Sequence, residues 1–385
     1  MIKQEINELK RLYTPSNCSI TRICGCYVDG EKNKKTEFKE AFLSLPEEEI
    51  FKYFELLRKT LSGSLGKNLL NLDFPLASEQ EGGTQAVLLA LRDSKLKDDA
   101  LIEEFYDRVI NTYEYVGNYL ILLIHDAYDV PGKTTDGLTM DDASDTVFEY
   151  IMCCICPVNL SKPGLSYDNI NNEFHNRIRD WVVEMPETGF LFPSFNDRAT
   201  DIHSTLFYSK NPEEAHSEFV ENILGCTMPL SAGTQKEAFQ ALIEETLGDE
   251  VEYEVVKNIH ENLTEMIEEH KEIPEPLTLD KHQVKSLFEK SGVKEEKLTD
   301  FDKLYDAAAG EDTSLFVNNV ANVRTFEVKT PDVVVKVNPE RADLVNTLQI
   351  DGKRCLVIEI NDHVEVNGIT IHQGVSLEDV ADEEE

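Results

Sequence analysis

No catalytic signature runs through these 385 residues. The HExxH, HxH and EF-hand spacings are missing, so zinc-protease and calcium-sensor chemistry find no support. The segment Gly63 to Phe74 (GSLGKNLLNLDF) looks like a phosphate loop, but it lacks the GK[ST] ending and the long glycine spacing. No stretch of eighteen uncharged apolar residues occurs. The best candidate, Tyr119 to Ile124, is cut by His125 and Asp126, which excludes a transmembrane helix. The opening MIKQEINELKRLY has no apolar segment and is not expected to be a secretory signal. The expected location is cytoplasmic, with the eight cysteines reduced. None of them forms a CxxC pair, and no metal or other cofactor is expected. Two CxC steps, Cys24/Cys26 and Cys154/Cys156, would each put two thiols on one strand face. A tetrathiolate is one reading of them; small buried core residues are the other, and the spacing favours the second.

Positive charge is the next scarcity. Lys and Arg number 37 against 74 Asp and Glu, a formal charge of −37. Residues 1–72 hold 12 basic and 10 acidic side chains, leaving 25 against 64 in residues 73–385, a balance of −39. Phosphate binding depends on Lys and Arg, so this acidic body should repel DNA or attract a basic protein surface. A simple gain in solubility is the plainer reading. The local basic supply is Lys3, Lys10, Arg11, Arg22, Lys32, Lys34 and Lys35. The last three follow the Asp29-Gly30 turn and are expected to be exposed.

What is present builds an α+β fold. Hydrophobic content of 41% suffices for real cores. Helices are expected over residues 1–14, Ser44 to Leu61 with Ser44 as cap, and 84–114 in two pieces. Strands are expected over Cys18 to Val28, Val116 to Val130, Val147 to Val158 and Trp181 to Phe195. Residues 199–225 and 234–270 read as helical. Thr278 to Lys290 and Lys297 to Ala309 form a helical pair that resembles a helix-turn-helix. Its second helix carries Asp300, Asp302 and Asp306, which suits an ordinary hairpin better than a DNA reader. Residues 323–372 alternate as a β-rich module. The expected organisation is an α/β sheet domain (1–205), a helical region (206–310), a β-rich module (311–376) and an acidic disordered tail (377–385).

The richest polar stretch, Asn172 to His203, and the His125-Asp126 step after the apolar run are where acid–base or metal chemistry would have to lie. The candidates are His125, Asp126, His175, Asp197 and His203. Asp129, Asp136, Asp141 and Asp142 add acids near the second site. Solvated ion pairs are the simpler reading of the polar stretch.

Several segments carry a resemblance: CYVDG (Cys26 to Gly30), KTLSGSLGKNL (Lys59 to Leu69), LALRDSKLKD (Leu89 to Asp98), GNYLILLIHDAYDVP (Gly117 to Pro131), CICPV (Cys154 to Val158), NEFHNR (Asn172 to Arg177) and GFLFPSFNDRATDI (Gly189 to Ile202). They resemble a bacterial family known as domain of unknown function 4317. More distantly, the segment order resembles the nucleoid-associated family of the NdpA type. Its points are ALRDS (Ala90 to Ser94), FVENILG (Phe219 to Gly225), the helical pair from Leu279 to Ala309 and the β module from Phe326 to Ile360. That resemblance implies a nucleoid-associated location, with DNA or a DNA-topology enzyme as partner, and brings no catalytic residues.

The leading expectation is a non-enzymatic, nucleoid-associated-type interaction protein acting through DNA or a DNA-associated basic protein. A homo-oligomer is compatible with it, and no membrane contact is expected. The alternatives are a metal-dependent hydrolase built on the His/Asp candidates and an acidic DNA-mimicking inhibitor. An enzyme requires those groups to converge in one pocket.

Overall fold

A computed structural model describes residues 1–133, 139–140, 146–248, 251–322, 324–360, 364–366 and 369–371. The expected tail 377–385 and Asp136, Asp141 and Asp142 lie outside the described residues. Two compact units form: Met1–Glu237 with Glu272–Leu277, and Ala238–Lys271 with Thr278–Glu385.

In the first unit the order is α1 (Lys3–Lys10), β1 (Ile20–Val28), β2 (Lys34–Glu40), α2 (Glu47–Thr60), β3 (Leu69–Asp73), α3 (Thr84–Asp93), α4 (Asp99–Thr112) and β4 (Asn118–Val130). A short hairpin, β5 (Gly132–Lys133) and β6 (Thr139–Met140), leads to β7 (Thr146–Leu160). Then come β8 (Leu165–Asp168), β9 (Glu173–Asn176), β10 (Trp181–Val183), β11 (Thr188–Phe192), β12 (Ser194–Asn196), β13 (Ala199–Asp201) and β14 (Ser204–Ser209). The three-residue helix α5 (Ser217–Phe219) runs into a π-helical turn, Val220–Leu224, and α6 (Ala232–Leu247) follows.

The main sheet is ordered β2-β1-β4-β7-β11-β14-β3, with β10 beside β11 on the same edge of β7. Every pairing is antiparallel. The class is α+β. Strand alternation then sorts the core into two layers. Tyr119, Ile121 and Leu123 of β4 pack with Leu91 of α3 and Phe105, Tyr106 and Val109 of α4. Leu120, Leu122 and Ile124 pack on the other face with Leu9 of α1 and Phe54 and Leu57 of α2. Each such side chain, fully buried, contributes about 1.5–3 kcal/mol. The apolar runs of β4 and β7 thus follow from burial on both faces.

The same alternation settles the cysteines. Cys24 and Cys26 belong to the α3–α4 layer, and Cys154 and Cys156 to the α1–α2 layer. The sheet lies between the two thiol pairs, so no four of these sulfurs meet. Burial pushes the Cys26 and Cys154 thiols up to about 12. They are core residues.

Three local expectations need correction. Ser44 does not cap α2. Its hydroxyl donates to the Ala41 carbonyl at 2.7 Å in a preceding 3₁₀ turn, and Pro46 holds the cap position. Residues 199–209 are not helical: β13 and β14 occupy them, and β14 is a buried strand of the main sheet. A short apolar run gives no helical period, and Thr205, Phe207 and Tyr208 suit a strand. His125 and Asp126 lie within β4 rather than at its end.

In the second unit α7 (Tyr253–Glu269) packs near α8 (Lys281–Lys290), and α8 packs near α9 (Phe301–Ala308). Asp280 starts α8 with a capping box: its Oδ1 accepts from the Gln283 amide at 2.8 Å, and Gln283 Oε1 accepts from the Asp280 amide at 2.9 Å. Lys281 and Lys285 of α8 pair with Asp306 and Asp302 of α9, so the helical pair spends those lysines internally. The β-rich segment forms three hairpins: Phe326–Lys329 with Val334–Val337, Val345–Ile350 with Lys353–Ile358, and Val364–Val366 with Ile369–Ile371.

Candidate functional site

Consecutive residues of a strand point to opposite faces, and His125 and Asp126 do so. His125 is buried on the α3–α4 side. Its Nδ1 lies 2.8 Å from Thr21 Oγ1, and that hydroxyl donates to the His125 carbonyl at 3.3 Å. The assignment satisfying both bonds has Nδ1–H donating to Thr21. Nε2 is then an unprotonated, buried nitrogen without a partner. Burial lowers the imidazole to about 4, with Lys95, Arg92 and Lys97 adding to the shift and Glu149 opposing it. Asp126 is buried on the other face and accepts from Tyr150 Oη at 2.7 Å and from the Ala127 amide at 2.8 Å. Tyr13 Oη donates to Tyr150 Oη at 3.0 Å, completing a buried chain. Burial raises the Asp126 carboxyl against the pull of those hydrogen bonds.

The other three candidates do other work. His175 is exposed on β9, its Nδ1 2.9 Å from the Asn176 carbonyl. Asp197 and Arg198 are the two central residues of the β12–β13 turn, with φ of 51° and 57°. Two successive positive φ values make a type I′ hairpin turn. Arg198 then grips Glu8 of α1 through Nε and Nη2 at 2.9–3.3 Å. His203 pairs with Glu79 Oε1 at 2.7 Å, which raises its pKa. His125, Asp126, His175 and His203 thus each have separate partners, and Asp197 serves in the turn. Among the described residues no three His, Cys, Asp or Glu side chains are grouped to hold a metal ion.

The basic candidates fare differently. On α4, Asp99, Glu103 and Asp107 recur at four-residue spacing and form one acidic face. Strand β2 runs past that face. Lys39 pairs with Asp99 at 2.9 Å, and Lys34 with both Glu103 and Asp107. Lys32 pairs with Glu114, just beyond the helix, at 2.8 Å. Lys35 pairs with Asp29 at 2.7 Å. The expected exposure of this cluster holds for Lys35 alone; Lys32 and Lys34 are half-buried against acids. Arg22 is also half-buried, and Lys10 donates to Ser62 Oγ at 2.9 Å. Lys3 on α1 and Arg11 at its C-terminal cap are exposed. The seven nominated cations do not form one open patch.

Two features escaped sequence reasoning. One is an open pocket of about 590 Å³ whose lining includes Glu114, Glu213, His216, Glu218, Met228 and Ser231. The other is the arm from Leu160 to Met185. Its large side chains stand in solvent: Leu165, Ile170, Phe174 and Ile178 are 77%, 88%, 71% and 78% exposed. Trp181, the chain's sole tryptophan, is 55% exposed. In the sequence Tyr167, Ile170, Phe174, Ile178, Trp181 and Met185 recur at three- and four-residue steps, a spacing that suggests a buried helical face, so the pattern did not mark them as exposed.

Residues 1–369 match the family described as domain of unknown function (DUF4317). The chain belongs to that family. A search of curated proteins finds no match to this DUF4317 chain. Among the described residues, no helix is long and apolar enough to cross a membrane.

Proposed function

We propose that this DUF4317 chain is a non-enzymatic interaction protein that reaches the nucleoid through a basic, DNA-associated protein rather than through DNA itself. The observation that carries this reading is the pairing of Lys32, Lys34 and Lys39 with the acidic face of α4 and Glu114. The densest basic segment is thereby neutralised within the fold. The acidic balance of the remaining chain then dominates the field that a partner meets. Opposite charge across an interface steers encounter and excludes like-charged partners such as a phosphate backbone. The segment order resembling NdpA-type proteins supports the nucleoid as the place. The buried, separately partnered His125 and Asp126 support a structural rather than catalytic role for those groups.

The reading is tested with immobilised duplex DNA. The chain should pass over bare duplex and be retained once the duplex carries basic DNA-binding proteins, with retention falling as salt rises. Retention on bare duplex, or passage over the loaded duplex at low salt, would overturn it.

A further inference from the structure

Residues 94–98 join α3 to α4 and close over the end of the sheet that holds His125. Leu96 is fully buried in the same core layer as Leu123 and Ile151. Lys95 beside it reaches Glu149 of β7 at 2.7 Å. Glu149 stands opposite Ala127, two residues along β4 from His125, and so shares a face with it. The loop is strained, because Lys95 and Leu96 both have φ of 53°. Left-handed backbone is uncommon away from glycine, above all for a bulky side chain, and persists only where the surroundings impose it. Here the seating of Leu96 and the Lys95–Glu149 pair impose it.

Beneath this loop the imidazole has an unused position. Its Nε2 is buried and without a partner. A proton arriving there would create a cation shielded from water, with no acceptor. The charges acting on the ring are mostly positive: Lys95 and Lys97 of the loop and Arg92 of α3, with Glu149 as the opposing acid. Arg22 of β1 stands directly across from His125. Glu149 is engaged by Lys95, Asp93 by Arg92, and Asp99 at the start of α4 by Lys39. Each of these carboxylates thus already holds a cation. Asp126 and Tyr150 are bonded to one another on the opposite face.

We infer that the α3–α4 loop is an acid-released latch: proton uptake at His125 Nε2 opens residues 94–98, separates Lys95 from Glu149 and leaves the sheet folded. Opening brings water to the imidazolium, moves Lys95 and Lys97 away from it and lets the two left-handed residues relax. All three changes act in the same direction. It also uncovers the apolar seat of Leu96, a surface that the fold withholds at neutral pH. The ring stands at about 4 while covered and regains an ordinary value of about 6.5 in water. Opening is therefore favoured about tenfold for each pH unit below 6.5, reaching about 300-fold near pH 4. Above pH 6.5 the latch holds.

Hydrogen–deuterium exchange of the full chain tests the latch, read by peptide mass and corrected for the intrinsic pH dependence of exchange. In the closed loop the Lys95 and Lys97 amides donate to the Arg92 and Ser94 carbonyls at 2.8 and 3.0 Å, so opening frees them. Exchange over residues 94–98 should rise about tenfold per unit as pH falls from about 6 to about 4.5, while residues 150–156 of β7 stay protected. His125→Gln should abolish the rise. Lys95→Met, at a partly exposed position, should raise loop exchange near neutral pH. It should also increase labelling of His125 by diethyl pyrocarbonate, with labelling of the exposed His175 unchanged. Circular dichroism checks the fold of each variant, and the wild-type and Lys95→Met readings stand without His125→Gln. Loop exchange that does not change with pH would overturn the inference, as would a rise that survives His125→Gln or unchanged His125 labelling in Lys95→Met. Loss of protection in β7 together with the loop would also overturn it, because the unit would then be unfolding as a whole.

Discussion

Strand β7 joins two regions that differ in one respect, the presence of something to pack against. From Phe148 to Val158 its residues are covered by helices on both faces, and nearly all are fully buried. From Leu160 onward the chain keeps strand-forming residues, Tyr, Phe, Trp, Val and Ile, yet exposes them through Met185. Strand propensity therefore does not distinguish the two regions; layering does. A sheet buried on both faces needs no outside partner. An arm with similar side chains and no cover has its unsatisfied apolar surface as its defining property.

The largest expected effect breaks the contrast directly. Phe190 on β11 is fully buried and packs edge-on to Phe105 at 6.2 Å. Phe190→Ala should destabilise the first unit by about 3–5 kcal/mol in urea unfolding. Phe174→Ala on the arm should change it by less than about 0.5 kcal/mol. Equal costs would erase the distinction.

Glycines sharpen it next. Gly225 ends the π-helical turn at φ 71°, and a Cβ there would meet Thr84 Oγ1 at 1.9 Å. Its carbonyl also accepts from Ser78 Oγ at 2.6 Å. Gly225→Ala should cost about 1–3 kcal/mol, the scale of a strained backbone. Gly164 in the arm has open space around its Cβ position, and Gly164→Ala should shift the melting temperature little.

Smaller effects are expected from the two titratable groups of β4, with opposite signs. His125 is lowered from 6.5 to about 4, so its folded form favours the neutral ring. Its contribution is complete above pH 6.5 and lost as pH falls toward 4. Asp126 is raised above its ordinary 3.8. Its contribution is complete below that value and lost as pH rises through the folded pKa. Denaturation followed across pH should show His125→Gln flattening the acid-side decline and Asp126→Asn flattening the loss on the other side. Unchanged slopes in either variant would contradict the assigned environment of that residue.

Much of the sheet was legible because β4 and β7 are long apolar runs bounded by turn residues, which burial on both faces requires. The break between α3 and α4 was legible from its polar residues. β14 was misread because six buried residues carry too short a pattern to separate strand from helix. The site was harder. That Lys32, Lys34 and Lys39 meet Glu114, Glu103 and Asp99 depends on residues 82, 69 and 60 positions apart, which only the sheet topology brings together. Likewise, the step Asp197-Arg198 reads as a polar cluster until the hairpin turn is known.

An anisotropy titration of labelled duplex DNA at low salt decides whether the basic segment is neutralised inside the fold. The wild-type chain should show no binding at about 50 mM salt, where phosphate contacts are strong. Binding there would contradict it, most clearly if replacing Lys32, Lys34 and Lys35 with Gln reduced the salt slope by about one unit per lysine.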